Sequence, residues 1–259
     1  MKITVLGCGG SGGVPLIGCG CAVCTSKHPR NRRTRVSILV NEGKTRVLVD
    51  AAPDLRMQFL ANSISTVDAA ILTHAHADHL HGIDDLRAVN FNRNAPLDIW
   101  GDAATLREAR RRFTYAFEPP ASNGTAGIWY SPALTPREIA GPFAIGDLRI
   151  VPFLQEHGVG REPTLGLRFG RFAYSTDVKH MPDEGFEALK GVEVWLVDCL
   201  QERPNPAHSH LEQTLAWIAH VRPKRAILTH MTHNLEYAAL AAKLPAGVEP
   251  AYDGMTIEV

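Results

Sequence analysis

The stretch Thr73-His74-Ala75-His76-Ala77-Asp78-His79 places three imidazoles and a carboxylate within six positions. Imidazole nitrogen and carboxylate oxygen are the donors that a borderline divalent cation prefers. His74 and His76 can reach one ion from a loop, and Asp78 and His79, one turn further on, can reach a second. A second cluster, Cys19-Gly20-Cys21-Ala22-Val23-Cys24, has the spacing for tetrahedral zinc but supplies only three of the four ligands. His208-Ser209-His210 adds two imidazoles just before a helical pattern. The run Gly7-Cys8-Gly9-Gly10-Ser11-Gly12 spells a dinucleotide fingerprint, yet Pro15 and the cysteine loop follow where that fingerprint needs a helix. It reads as tight turns beside the metal edge.

Such side chains need strand ends and turns to hold them. Apolar runs of strand length lie near 2–6, 35–40, 46–50, 68–73, 97–100, 147–153, 164–169, 171–175, 193–198, 225–229 and 255–258. Gly170 suits a tight hairpin turn between two of them. Helical spacing appears at 54–61, 103–112, 210–220 and 234–243, and Ser209-x-x-Glu212 predicts a capping box at the third. Hairpins mixed with helices point to sheets packed between helices rather than one doubly wound sheet. Ile71-Leu72-Thr73-His74 recurs as Ile227-Leu228-Thr229-His230, the trace a pseudo-duplicated fold would leave. No Ser/Gly-rich linker divides the chain, so a single domain over 1–259 is expected. The stretch 118–144, with Pro119, Pro120, Pro132, Pro136 and Pro142, reads as an irregular surface loop near an opening.

Lys+Arg and Asp+Glu each number 27 in 259 residues, so no whole-molecule field draws in nucleic acid or an anionic membrane. An apolar fraction of 45% argues against a disordered chain, and no apolar run is long enough to span a membrane. The N-terminal apolar run is too short for a signal peptide. Five cysteines, an odd number tightly spaced, speak for metal binding rather than disulfides and for a cytoplasmic setting. Cys8 and Cys199 lie in strand-like settings and read as core residues. Arg30, Arg32, Arg33 and Arg35 form a basic stretch that reads as a solvated face, with a hold on a substrate's terminal phosphate as the sharper alternative.

The unbroken H-x-H-x-D-H at His74–His79 resembles the signature of the metallo-β-lactamase superfamily. The resemblance implies a four-layer αββα sandwich, α/β in class, with metals at one edge. It also implies the remaining ligands in chain order: His157 for the first ion, Asp177 as the bridging carboxylate and His230 for the second ion. Asp50 corresponds to the aspartate that orients the ligand loop, and His81 and Asp85 are candidate orienters after the signature. His233, three residues beyond His230, is the candidate fourth ligand that would make Cys19, Cys21 and Cys24 a structural zinc site at 18–25.

Within the superfamily the chain is similar to the cyclic ribose-phosphate phosphodiesterases of the carbon–phosphorus lyase pathway. The match is carried by the C-x-C-x₂-C after a glycine-rich turn, by Leu228-Thr229-His230-Met231-Thr232-His233 and by Tyr252-Asp253-Gly254-Met255. It runs from the first strand to the C-terminus and is least at about 85–145, a variable region expected to face substrate. Ribonuclease Z is a relative, but its long basic arm has no counterpart here. The resemblance implies a histidine acting as general acid or phosphate ligand at His208, with His210 open as the alternative.

The expected function is a dinuclear metal-dependent phosphodiesterase that cleaves a small cyclic phosphate or nucleotide-like phosphodiester by attack of a metal-bridging hydroxide. Asp78 would orient the hydroxide and His208 would serve the leaving group. The cofactors are two divalent ions, Mn or Zn, and one structural Zn. A small phosphorylated substrate is the expected partner, not nucleic acid or membrane, and a homodimer is compatible with the sequence. The alternatives are a thioester or lactam hydrolase on the same centre, ribonuclease Z-like RNA processing, and a phosphate- or nucleotide-binding protein without turnover.

Overall fold

A strand covered on both faces has no polar side, so it reads as an uninterrupted apolar run. Val47-Leu48-Val49 is such a run. In the computed structural model, which describes residues 1–118 and 134–259, Val47 and Val49 pack into the core between two sheets while Leu48 packs outward with Leu55 and Phe59. All three are fully buried, and truncating Leu48 to alanine would cost about 2–5 kcal/mol.

The strands among the described residues are β1 (Lys2–Gly7), β2 (Ser37–Glu42), β3 (Thr45–Val49), β4 (Ala69–Ile71), β5 (Leu97–Gly101), β6 (Leu134–Glu138), β7 (Phe143–Ile145), β8 (Leu148–His157), β9 (Glu162–Phe169), β10 (Phe172–Ser175), β11 (Val194–Asp198), β12 (Arg225–Thr229), β13 (Val248–Pro250) and β14 (Thr256–Glu258). The helices are α1 (Leu55–Ala61), α2 (Ala77–Leu80), α3 (Leu86–Arg93), α4 (Ala103–Arg112), α5 (Thr114–Phe117), α6 (Asp183–Leu189), α7 (Leu211–Val221) and α8 (Tyr237–Lys243). The first sheet runs β14-β1-β2-β3-β4-β5-β6 and the second β13-β12-β11-β10-β9-β8-β7. Strands β3 to β6 are parallel to one another, as are β10 to β13.

Ile3, Val5, Ile38 and Ile71 of the first sheet meet Phe169, Phe172, Trp195 and Ile227 of the second in one buried core. Helices α1, α3 and α4 cover the outer face of the first sheet through Leu55, Leu86 and Leu106. Leu189 of α6, Ile218 of α7 and Leu240 of α8 close the other side. The result is the four-layer αββα sandwich expected from the sequence.

Three readings of the chain change. Within 118–144, β6 and β7 are strands, not irregular loop. Pro136 is accommodated because β6 is the edge of its sheet, where a missing N–H breaks no ladder. Residues 119–133, including Pro119, Pro120 and Pro132, lie outside the described residues. The helical pattern also misses α3 and α6, each with only two inward-facing residues. Finally, Ser209 forms no capping box: the N-cap of α7 is His210, and the Ser209 hydroxyl is spent on the carbonyl of Asp198 at 2.7 Å. Gly170, at φ +57, makes the predicted turn between β9 and β10.

Candidate metal centre

Parallel strands deliver their C-terminal ends to one edge of a sheet, and functional groups gather there. Asp50 follows β3, His74 lies shortly after β4, Asp177 shortly after β10, Asp198 ends β11 and His230 follows β12. β8 runs in the same direction as β10, being two antiparallel steps away, so His157 at its last position reaches the same edge. Asp50, Asp177 and His230 all have left-handed backbones, at φ 64, 51 and 58. Such conformations cost about 1–3 kcal/mol each in non-glycine residues and persist only where the surroundings enforce them.

Two four-residue groups result, with ligand atoms all within 4.8 Å of one another, His74, His76, His157 and Asp177, and Asp78, His79, Asp177 and His230, beside a smaller one of Asp198, His208 and His230. Asp177 belongs to both. Its Oδ1 lies 3.8 Å from His74 Nε2 and 3.7 Å from His157 Nε2, while its Oδ2 lies 2.9 Å from His79 Nε2 and 3.3 Å from His230 Nε2. Asp78 Oδ2 is 3.4 Å from Nε2 of both His79 and His230. Seven residues named from the sequence are therefore brought to one place.

The hydrogen bonds around them fix which nitrogen is free. His79 Nδ1 is 2.8 Å from Asp50 Oδ2, so Nδ1–H donates and Nε2 keeps its lone pair. Thr73 spends its hydroxyl hydrogen on Asp50, so its oxygen accepts from His74 Nδ1 at 3.0 Å. His157 Nδ1 donates to the carbonyl of Ala207 at 2.9 Å. The ring nitrogens of His74 and His79 that remain, both Nε2, are buried without a hydrogen-bond partner. A buried lone pair aimed at a carboxylate is repulsive unless a cation or proton lies between, so the donor set fits a divalent metal.

Electrostatics agree. Burial alone would raise Asp78 and Asp177, but His79 and His230 hold both well below the usual carboxylate range. Burial opposes charge on His230, and Asp177, Asp78 and Asp198 overcome it and push it up to about 9. Burial, reinforced by neighbouring His79, depresses His74. Positive charge is thus demanded at the second group, and a bound metal would displace those protons.

His208 joins the same cluster. Its Nδ1 is 3.2 Å from Asp198 Oδ2 and 3.9 Å from Asp177 Oδ1, and its ring stacks on His230 at 4.8 Å. His210 does not join: it caps α7, and its Nδ1 is buried without a partner. Asp198 was not anticipated, although the sequence carried a signal. Leu196-Val197-Asp198 repeats Leu48-Val49-Asp50, and each triplet precedes one copy of the Ile-Leu-Thr-His echo.

Two readings fail on contact geometry. His81 is exposed, with its ring edge-on to Phe113 at 5.6 Å, and Asp85 hydrogen-bonds no ligand among the described residues, so neither orients the centre. Arg33 is 2% exposed, and its guanidinium donates to the carbonyls of Thr232 (2.9 Å) and Leu235 (2.7 Å). Arg30 packs over the rings of Tyr237 and Tyr252, and Arg35 pairs with Asp54 at 3.0 Å. Both Nη groups of this buried cation are held by main-chain carbonyls, so it is not placed to grip a phosphate.

Away from this centre, Cys19, Cys21 and His233 bring their ligand atoms within 4.8 Å of one another. The Cys24 thiol adjoins those of Cys19 and Cys21, and its own backbone N–H donates to Cys21 Sγ at 3.4 Å, the bond that lowers Cys21 below an ordinary thiol. Two thiols and an imidazole are three of the four ligands of a tetrahedral zinc, and Cys24, whose Sγ lies outside that trio and accepts the Leu16 N–H at 3.3 Å, stands beside them as the candidate fourth. Cys8 and Cys199 are buried. The glycine run forms bridges to Arg35 and Met231 at Gly9 and opens no helix.

The model of the beta-lactamase superfamily domain matches residues 45–231. A protein of Porphyromonas gingivalis named octanoyltransferase is 34% identical over 98% of this chain, which spans about half (51%) of that relative's length. A solved structure described as a new diphosphatase from the PhnP family is 34% identical, with a TM-score of 0.91, covering 100% of this chain and 97% of that one. Zn²⁺-bound PqqB from Methylobacterium extorquens, at 20% identity and a TM-score of 0.80 over both whole chains, shares the fold.

Proposed function

The chain belongs to the beta-lactamase superfamily and has the metallo-β-lactamase fold, and on that premise we propose that it is a hydrolase, a phosphodiesterase for a small cyclic phosphate or nucleotide-like phosphodiester. The observation that carries this reading is the Asp198–His208 pair, 3.2 Å apart, set against Asp177 and the two ligand groups.

His74, His76, His157 and Asp177 would hold one divalent ion, and Asp78, His79, Asp177 and His230 the other. Bound there, such ions supply an acidified water and neutralise phosphoryl charge. Asp78 sits between His79 and His230 and can accept a hydrogen bond from the attacking water. His208 donates Nδ1–H to Asp198, which leaves Nε2 to give a proton to the departing alkoxide as the phosphorus–oxygen bond breaks. Asp198 steadies the imidazolium and fixes its orientation. His76, with a side chain 45% exposed, marks the open side of the site.

A second reading, hydrolysis of a diphosphate, is favoured by the likeness to the diphosphatase of the PhnP family. The octanoyltransferase name belongs to a relative of which this chain spans about half, and nothing in the cluster favours acyl transfer. The assay is hydrolysis by metal-loaded protein of bis(p-nitrophenyl) phosphate and 2′,3′-cyclic AMP beside ADP-ribose, a thioester and a chromogenic lactam. Turnover of the diesters supports the main reading, turnover of ADP-ribose alone the second, and turnover of only the thioester or lactam overturns both.

A further inference from the structure

We propose that the protein carries a second anion site, for a small organic phosphate such as a sugar phosphate or nucleoside monophosphate, at the end of the first sheet remote from the metal centre. A cavity of about 660 Å³ opens there, between the outer face of the sheet and the segment 62–68 that follows α1. That volume is of the size that takes a small metabolite.

Register builds its floor. Lys2 of β1 pairs with Asn41 of β2, and Asn41 with Arg46 of β3, so the three side chains stand side by side on one face. Lys44, at the β2–β3 turn, adds a third cation to the lining. None of the three cationic heads has an ion-pair or hydrogen-bond partner among the described residues. Glu258, directly opposite Lys2 on β14, makes no ion pair with it. The acid in the lining, Asp68, is already engaged: one oxygen accepts the Arg46 backbone N–H at 2.8 Å and the other pairs with Arg93 at 3.2 Å. The chain has no net charge, so this surplus is local.

Arg46 stands near the start of β3 and Asp50 just past its end, about 13 Å away at the rise of an extended strand. The cavity touches none of the residues of the metal centre, so its ligand is distinct from the molecule being hydrolysed.

The test is calorimetric titration of the metal-loaded protein with ribose 5-phosphate and with inorganic phosphate, paired with amide chemical-shift mapping. Binding with shifts at Lys2–Thr4, Asn41–Arg46 and 62–66, weakened at least about tenfold by the double variant Lys44→Glu, Arg46→Glu, supports the site. His208→Ala serves as control, because it disturbs the metal centre and should leave these shifts in place. Shifts confined to the metal centre, equal affinity in the double variant, or no binding at about 10 mM ligand would overturn it. The amide spectrum of the double variant reports whether it folds.

Discussion

The carboxylate of Asp50 lies 2.8 Å from Nδ1 of His79 and, through the Thr73 hydroxyl, also governs Nδ1 of His74. One buried acid therefore sets the tautomer of an imidazole in each ligand group. Replacing it with asparagine removes the charge that makes both rings strong donors. Asp50→Asn should weaken metal binding about 10–100-fold, read by chelator competition, while the far-ultraviolet spectrum of the fold is retained.

The two groups are not held alike. Asp78, His79, Asp177 and His230 are all buried, whereas the His76 side chain is 45% exposed and its Nε2 also lies 3.5 Å from Glu162 at the surface. Chelation should remove metal in two steps, the first from the group containing His76. His76→Ala should retain one of two ions by elemental analysis; loss of both together would contradict the asymmetry.

His208 and Asp198 act as one unit in the proposed reaction. Alanine at His208 should lower kcat about 10²–10⁴-fold on 2′,3′-cyclic AMP, whose alkoxide needs a proton. The loss should be much smaller on bis(p-nitrophenyl) phosphate, whose leaving group needs none. Asp198→Asn should repeat the pattern, and the double variant should fall no further than the worse single. Equal losses on both substrates would assign His208 to charge stabilisation instead.

Arg33 is predicted to serve stability, not KM. Arg33→Ala leaves the carbonyl of Leu235 unpaired and takes one of two donors from that of Thr232, which keeps the Leu235 N–H at 3.2 Å, and should cost about 1–3 kcal/mol in denaturant unfolding. Because these carbonyls flank His233, zinc at the cysteine loop should also bind more weakly.

Asp253 offers a pH signature of its own. Burial pushes its carboxyl up to about 6, against the lowering effect of Thr34 and Cys8, which donate to it. Between about pH 4 and 6 the folded chain holds a proton that the unfolded chain releases. Stability should fall as pH rises through that window, by at most about 3 kcal/mol, and level off above it. In metal-free protein, Asp253→Asn should remove about one proton's worth of slope relative to wild type; parallel curves would refute the assignment.

Much of this is legible in the sequence. The doubly buried strands show as apolar runs, and H-x-H-x-D-H packs four candidate ligands into one short segment, so local spacing alone reveals them. His157, Asp177 and His230 come from distant strands, and only the ordered pattern of a resembling family picks them out. Asp198 escaped because a single acid at the end of an apolar strand looks like any strand terminus until its triplet is set beside the one ending in Asp50. Arg33 misled because a basic run in sequence does not say which of its members turns inward. His81 and Asp85 follow the ligands closely in sequence, but α2 and the turn after it carry them past the centre.

Asp177 reaches the cluster from one sheet, and His74, Asp78 and His79 reach it from the other. An ion bound among them is a cross-link between the two halves of the sandwich. Whatever binds only the assembled cluster must then raise the stability of the whole chain by mass action, with a melting temperature that climbs with the logarithm of free metal concentration. Scarcity of metal would be felt first as loss of protein, through unfolding and proteolysis, and not only as loss of turnover.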